Sequence, residues 1–133
     1  MNISAKTEYA CVAVLELAAN YGSGGPVPIR AIAEKHGVPP RFLVQILLQL
    51  KAAGLVESTR GAAGGYRLAR PPGEVSLGQV MEVIGGSTSA VREPNASAES
   101  PAVKVLMRAW QDVADEVGEM LAGITFAELV ERA

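Results

Sequence analysis

Residues 60–68 read RGAAGGYRL, with three glycines in the five positions 61–65. Two very different folds can hold such a stretch. A phosphate-binding P-loop needs a glycine, four residues and then Gly-Lys-Ser/Thr after a strand, because the lysine and the hydroxyl handle the phosphates and their magnesium. Here Tyr66 follows Gly65, with no lysine or hydroxyl in register. A dinucleotide fingerprint opens a helix, whereas GYRLAR (65–70) is a short strand-like run, as is LVEST (55–59) on the other side. Two such runs around a glycine-rich tip make a β-hairpin. Glycine tolerates the positive φ of a turn, and its missing side chain lets the backbone come close to another surface.

Upstream of the hairpin the period is helical. In SAKTEYACVAVLELAANYG (4–22), Tyr9, Ala13 and Leu17, flanked by Ala10 and Val14, form an apolar stripe. GSGGPVP (22–28) breaks it. IRAIAEKHG (29–37) follows as a short helix with Ile29, Ile32 and Ala33 inward, Pro28 at its opening and Gly37 as its stop. After VPP comes RFLVQILLQLKAAG (41–54), where Phe42 or Leu43, Ile46, Leu47 and Leu50 face a core and Gly54 ends the helix. Two helices joined by a tight glycine-containing turn match a helix-turn-helix.

Downstream, Pro71-Pro72 closes the hairpin, and Ser76 with Gln79 predicts a capping box opening a helix from about Leu77 to Ile84. Residues 85–100, GGSTSAVREPNASAES, are small and polar and read as a flexible linker. Ser100 and Pro101 then suit the cap and first position of a helix. Along it Val103, Leu106, Trp110, Val113, Val117, Met120 and Ile124 recur at steps of three and four, an a/d seam. A helix of some 22 residues is about 33 Å long. Its polar side carries Lys104, Arg108, Asp112, Asp115, Glu116 and Glu119. Thr125 and Glu128 cap a last short helix, FAELVER. The expected fold is mainly α with a small β-hairpin wing: a winged helix-turn-helix plus a long C-terminal dimerisation helix. The expected organisation is a winged unit over 1–84, a linker over 85–100, and a dimerisation helix with a short terminal helix over 101–133. The seam packs either on its own winged unit or on the same helix of a second chain, and its seven apolar residues favour the second chain.

With 133 residues and 49% hydrophobic composition the chain can bury a core. It has no run of 18 or more apolar residues to span a membrane. The N-terminal apolar stretch carries Glu8 and Glu16 and reads as a helix rather than a signal peptide. A single cysteine, Cys11, precludes an internal disulfide and fits a reducing cytoplasm. The net charge of −2 hides a split: residues 1–70 hold eight Lys/Arg against four acids, residues 71–133 four against ten. Either one half faces a polyanion or surface charge is simply scattered.

A helix-turn-helix reads the major groove with its second helix. Arg41 and Gln45 lie one turn apart there, with Gln49 a turn further on. Arginine pairs with guanine, glutamine with adenine, and Val44 suits a thymine methyl. Lys51 and Arg67 are candidate phosphate contacts, and so are Lys6 and Tyr9 near the chain's start. Arg60 at the hairpin tip is a candidate finger for a narrow negative groove, beside Gly64, Gly65 and Tyr66. Each of these also has a plain reading as solvated surface or turn. No catalytic set is visible: the lone His36 ends a short helix with no partner acid or nucleophile indicated, and no cofactor is expected. Cys11 reads either as a small buried hydrophobe or as a redox-active thiol.

TEYACVAVLELA (7–18), residues 29–58 and RGAAGGYRLARPPGEVSLGQVMEVIGG (60–86) together resemble the Rrf2 (BadM-type) transcriptional regulators, the group that includes IscR, NsrR and CymR. The likeness extends over nearly the whole chain. It implies a bacterial homodimer, usually a repressor, that binds a pseudo-palindromic operator in double-stranded DNA through the third helix and the wing, and so through Arg41, Gln45 and Arg60. Members that sense through an iron–sulfur cluster carry three cysteines between the fourth and the long helix, and GGSTSAVREPNASAESPAVKVL has none. Many relatives have Ser and Glu where this chain has Pro40 and Val44. The expected function is a regulator without a cluster, answering to an unknown small-molecule or protein effector. The alternatives are a winged protein-interaction module that no longer binds DNA, and a redox or iron–sulfur sensor with non-standard ligands.

Overall fold

Helix α1 (Ala5–Ala19) starts at Ser4, whose hydroxyl accepts the Thr7 amide at 3.1 Å. A computed structural model describes residues 2–22 and 24–133 of the chain. Ala10, Ala13, Val14 and Leu17 of α1 are buried, so the helix lies at the centre of the molecule. Around it pack α2 (Ile29–His36), α3 (Pro40–Ala52), α4 (Leu77–Gly85) and α6 (Phe126–Arg132).

The turn between α2 and α3 is made by Gly37, which takes the left-handed conformation at φ 66°. Pro40 occupies the first position of α3, one residue earlier than the reading from Arg41, where a missing N–H costs nothing. Leu43, Ile46, Leu47 and Leu50 turn inward and are buried. Gly54, at φ 78°, ends the helix as expected.

Strands β1 (Val56–Thr59) and β2 (Gly65–Leu68) pair antiparallel, Val56 opposite Leu68 and Thr59 opposite Gly65. Val27 joins on the far side of β2, exchanging two 2.8 Å backbone hydrogen bonds with Tyr66. This contact explains Gly65: a Cβ there would stand 2.4 Å from the Val27 carbonyl. The close approach expected of the glycines is therefore made by the chain to itself. Only Gly61, at φ 104°, uses glycine's freedom of conformation in the tip.

A single 3-10 turn at Pro72–Glu74 leads to α4, and the Ser76–Gln79 capping box forms in both directions, at 3.1 and 2.8 Å. Residues 87–100 hold no helix or strand; Gln111 donates to the Ser89 carbonyl at 2.8 Å, which lays the start of the segment along the next helix. That helix, α5 (Pro101–Gly123), has 23 residues and only Leu121 among them is buried. At its end Gly78 of α4 permits close packing, since a Cβ there would lie 3.1 Å from the Leu121 and Ala122 backbone. The chain then turns back. Ile124 gives its carbonyl to the Leu77 amide at 2.8 Å, and the Phe126 amide reaches Val75 at 2.9 Å. Phe126 is wholly buried in the core around α1. The terminal helix thus packs with residues 1–84, while most of α5 stands clear of them. Thr125 caps α6 as expected, but the Glu128 carboxylate takes Arg132 instead of returning to the cap.

Candidate nucleic-acid interface

The outer side of α3 presents Arg41, Val44, Gln45, Leu48 and Lys51. These recur at helical spacing on one stripe, opposite the buried leucines. Val44 is 47% exposed and Leu48 55%. Leu48 was not singled out in the sequence, because a run of Leu47-Leu48 does not say which leucine faces out; its spacing of seven from Arg41 is the clue. Arg41 stacks its guanidinium 5.3 Å from the Phe42 ring centre, and Phe42 meets Tyr9 edge-on at 5.3 Å. Tyr9 is half-buried and supports Arg41 through Phe42, with Lys6 half-buried one turn before it. Gln49 stands off the outer stripe: its Oε1 is buried and has no hydrogen-bond partner. Lys51 donates to Ser58 Oγ at 2.7 Å, which ties the end of α3 to β1.

In the wing, Arg60 and Arg67 are exposed, the first at the tip and the second opposite Glu57. Gly64 and Gly65 serve the hairpin itself: a Cβ on Gly64 would sit 2.2 Å from the Thr59 carbonyl. Tyr66 is half-buried with its backbone committed to Val27. Among the described residues, Arg41, Arg60 and Arg67 take part in no ion pair. Three guanidinium groups outside any ion pair, on α3 and the hairpin, make this side of the molecule locally cationic.

One pairing invisible in the sequence holds the helix-turn-helix to its support. Glu16, 9% exposed on α1, accepts His36 Nε2 at 2.8 Å, Lys35 Nζ at 3.2 Å and Asn20 Nδ2 at 2.8 Å. The absence of an acid near His36, read from the sequence, is corrected: the fold brings one from twenty positions away. Burial pushes the Glu16 carboxyl up, but the hydrogen bonds from His36, Lys35 and Asn20 and the Lys35 charge together pull it below 4.5. A carboxyl lowered in the folded state contributes stability above its unfolded value and loses it as pH falls through the folded one. Stability is therefore expected to drop on acidification below about pH 4.5. Glu16→Gln is expected to lower the urea midpoint near pH 7 and to flatten that acid limb; an acid limb as steep as the parent's would place its origin elsewhere.

On α5, Leu106, Trp110, Val113 and Met120 are exposed by 47, 51, 62 and 68%. Val103 and Val117 are half-buried on the same stripe. Ile124 lies past the helix end as its cap, in extended backbone. No described helix is long and apolar enough to cross a membrane.

A helix-turn-helix, a cationic wing and a long C-terminal helix define a winged helix-turn-helix protein of the DNA-binding kind. Residues 3–132 match the Rrf2 family, described as iron-dependent transcriptional regulators, and the chain belongs to that family. It is 36% identical over 131 residues to the HTH-type transcriptional regulator IscR of Cronobacter sakazakii, covering 98% of this chain and 80% of that one. Among solved structures it is similar to CymR (YrzC), the global cysteine regulator of B. subtilis, with a TM-score of 0.87 and 33% identity over 100% of this chain and 98% of that one. It is also similar to T. potens IscR, with a TM-score of 0.79 and 32% identity over 99% and 88%. These relatives are regulators, and the chain is not an enzyme.

An iron–sulfur group is held by thiolates. This chain offers one, Cys11, which is half-buried in α1, where burial pushes its thiol up to about 11. Residues 86–100 contain neither cysteine nor histidine. No three His, Cys, Asp or Glu among the described residues are grouped to hold a metal. The residues present do not fit such a group.

Proposed function

We propose that this protein is a homodimeric, sequence-specific DNA-binding regulator that represses transcription in the cytoplasm without an iron–sulfur cluster. The observation that carries the reading is the outer stripe of α3, with Arg41, Gln45 and its apolar pair Val44 and Leu48, joined to the Arg60 wing by the Lys51–Ser58 hydrogen bond. In this reading α3 enters the major groove. Arg41 and Gln45 meet purine edges, and Val44 and Leu48 lie against thymine methyls. Arg60 enters the flanking minor groove, where negative potential is greatest. Lys51 and Arg67 take phosphates, which set position and not sequence. Tyr9 supports Arg41 through Phe42, Lys6 one turn before it reaches for a phosphate, Gly64, Gly65 and Tyr66 shape the wing, and Gln49 would have to free its buried Oε1 to reach a base.

Two copies joined through α5 hold two reading heads at a fixed spacing, so the operator is pseudo-palindromic. Occupying such a site in a promoter blocks transcription. Cys11, as a protonated and half-buried thiol, is a packing residue in this account rather than a redox sensor.

The test is selection of bound fragments from genomic DNA, followed by titration of the selected site at several salt concentrations. Affinity is expected to fall steeply with salt, as displaced phosphate counterions require. Arg60→Ala is expected to cost about 1–3 kcal/mol of binding, roughly 5- to 150-fold. An unchanged affinity for that variant removes the tip from the interface. No salt-dependent enrichment of any fragment leaves the protein-interaction reading in its place.

A further inference from the structure

The acidic part of the chain, residues 71–133, holds only four basic residues: Arg92, Lys104, Arg108 and Arg132. Three of them, Arg92, Lys104 and Arg108, line a single groove of about 400 Å³ between residues 91–94 and the first half of α5. Among the described residues none of the three is in an ion pair, and Glu93 is the one carboxylate on the groove's wall. Lys104 and Arg108 are like charges one helical turn apart, an arrangement that weakens a helix by itself. Of the acids of α5, Asp112 lies one turn beyond Arg108 without forming an ion pair with it, and Asp115, Glu116 and Glu119 lie further along. A cleft lined by one sign of charge concentrates counter-ions of the other.

The groove is not purely polar. Val91, Pro94, Val103 and Met107 line it, and the same four continue into a second cavity of about 280 Å³ that Leu106 and Trp110 close. By helical geometry Lys104 and Arg108 point away from the Leu106–Trp110–Val113 stripe, so the cationic wall lies apart from that seam. Gln111 already donates to Ser89 and Asp115, which leaves the three cations as the groove's donors.

We infer that this groove is a binding site for a small organic carboxylate, its head group held by Arg92, Lys104 and Arg108 and its hydrocarbon body laid against Val91, Pro94 and Met107. A guanidinium grips a carboxylate through two parallel hydrogen bonds. An inorganic anion would use the cations and leave the apolar wall wet; a neutral alcohol would do the reverse. A bound carboxylate fastens the segment 91–94 to α5. The inference goes beyond the proposed DNA-binding function and does not depend on it.

Trp110 is the chain's one tryptophan and lines the adjoining cavity, so its fluorescence reports on the site. The full chain is titrated with sodium hexanoate, with hexan-1-ol and inorganic phosphate as comparisons and calorimetry as a second readout. Hexanoate is expected to saturate and to bind more tightly than either comparison. Octanoate is expected to bind about tenfold more tightly still, from two further buried methylenes. The double variant Lys104→Gln, Arg108→Gln, both at exposed positions, is expected to weaken hexanoate at least about tenfold. Arg132→Gln, on the remote terminal helix, is expected to titrate like the parent. Absence of a saturable response, equal binding of hexanol or phosphate, or a double variant that titrates like the parent would each overturn the assignment.

Discussion

Phe126→Ala is expected to lower the free energy of unfolding by about 3–5 kcal/mol. The ring is wholly buried, among the largest fully enclosed side chains of the molecule. Its removal takes away the transfer free energy of an aromatic side chain and leaves a cavity that the rigid helices around it fill only in part. Domains of this size are stable by about 5–15 kcal/mol, so the loss is a large share of the whole. The melting temperature is expected to fall on the order of 10 °C or more. Urea unfolding of parent and variant measures the effect. A change under about 1 kcal/mol would mean that α6 docks on the core far more loosely than its buried ring and its 2.9 Å tie to Val75 imply.

Trp110→Ala is expected to raise the dimer dissociation constant by about 30- to 1,000-fold, the range of a central aromatic anchor at an interface. The indole is 51% exposed in the single chain, midway along a stripe on which Leu106, Val113 and Met120 are also exposed. A tryptophan buries about 150–250 Å² when fully covered, more than any aliphatic neighbour on that stripe contributes. Val105 tests the face. It is the most exposed large apolar residue of α5, at 72%, but lies off the stripe, and Val105→Ala is expected to leave association unchanged. Sedimentation of the three proteins at low concentration decides between them. If Trp110→Ala sediments as the parent does, α5 pairs through another face or not at all. If association is lost, operator affinity falls with it, because the two heads no longer bind as one ligand.

The elements of this fold were legible wherever one residue's own chemistry sets the backbone. Gly37 and Gly54 end their helices in left-handed conformations that other residues avoid. Ser76 and Gln79 cap α4 over three positions, and Ser100 with Pro101 opens α5. The change from helical to strand period at Leu55 placed the hairpin, and the order of elements was enough to resemble the family to which the chain belongs. For the candidate interface, the exposed sides of Arg41 and Gln45 followed from helical spacing against Leu43, Ile46 and Leu50.

What escaped the sequence are contacts between residues far apart along it. Glu16 and His36 meet because α2 crosses α1, and no local pattern announces a carboxylate twenty residues from its imidazole. Gly65 reads as the first residue of a strand, yet its lack of a side chain is demanded by Val27, a segment lying before the helix-turn-helix. The capping of FAELVER was visible, but not that Phe126 would return to the core around α1. The sequence by itself therefore determined the helices, the hairpin and their ends, because torsional preference and periodic burial act over a few residues. Only the tertiary structure decided which polar groups meet, which glycine is indispensable and which end of the chain completes the core, because these depend on separations that close only when the helices pack.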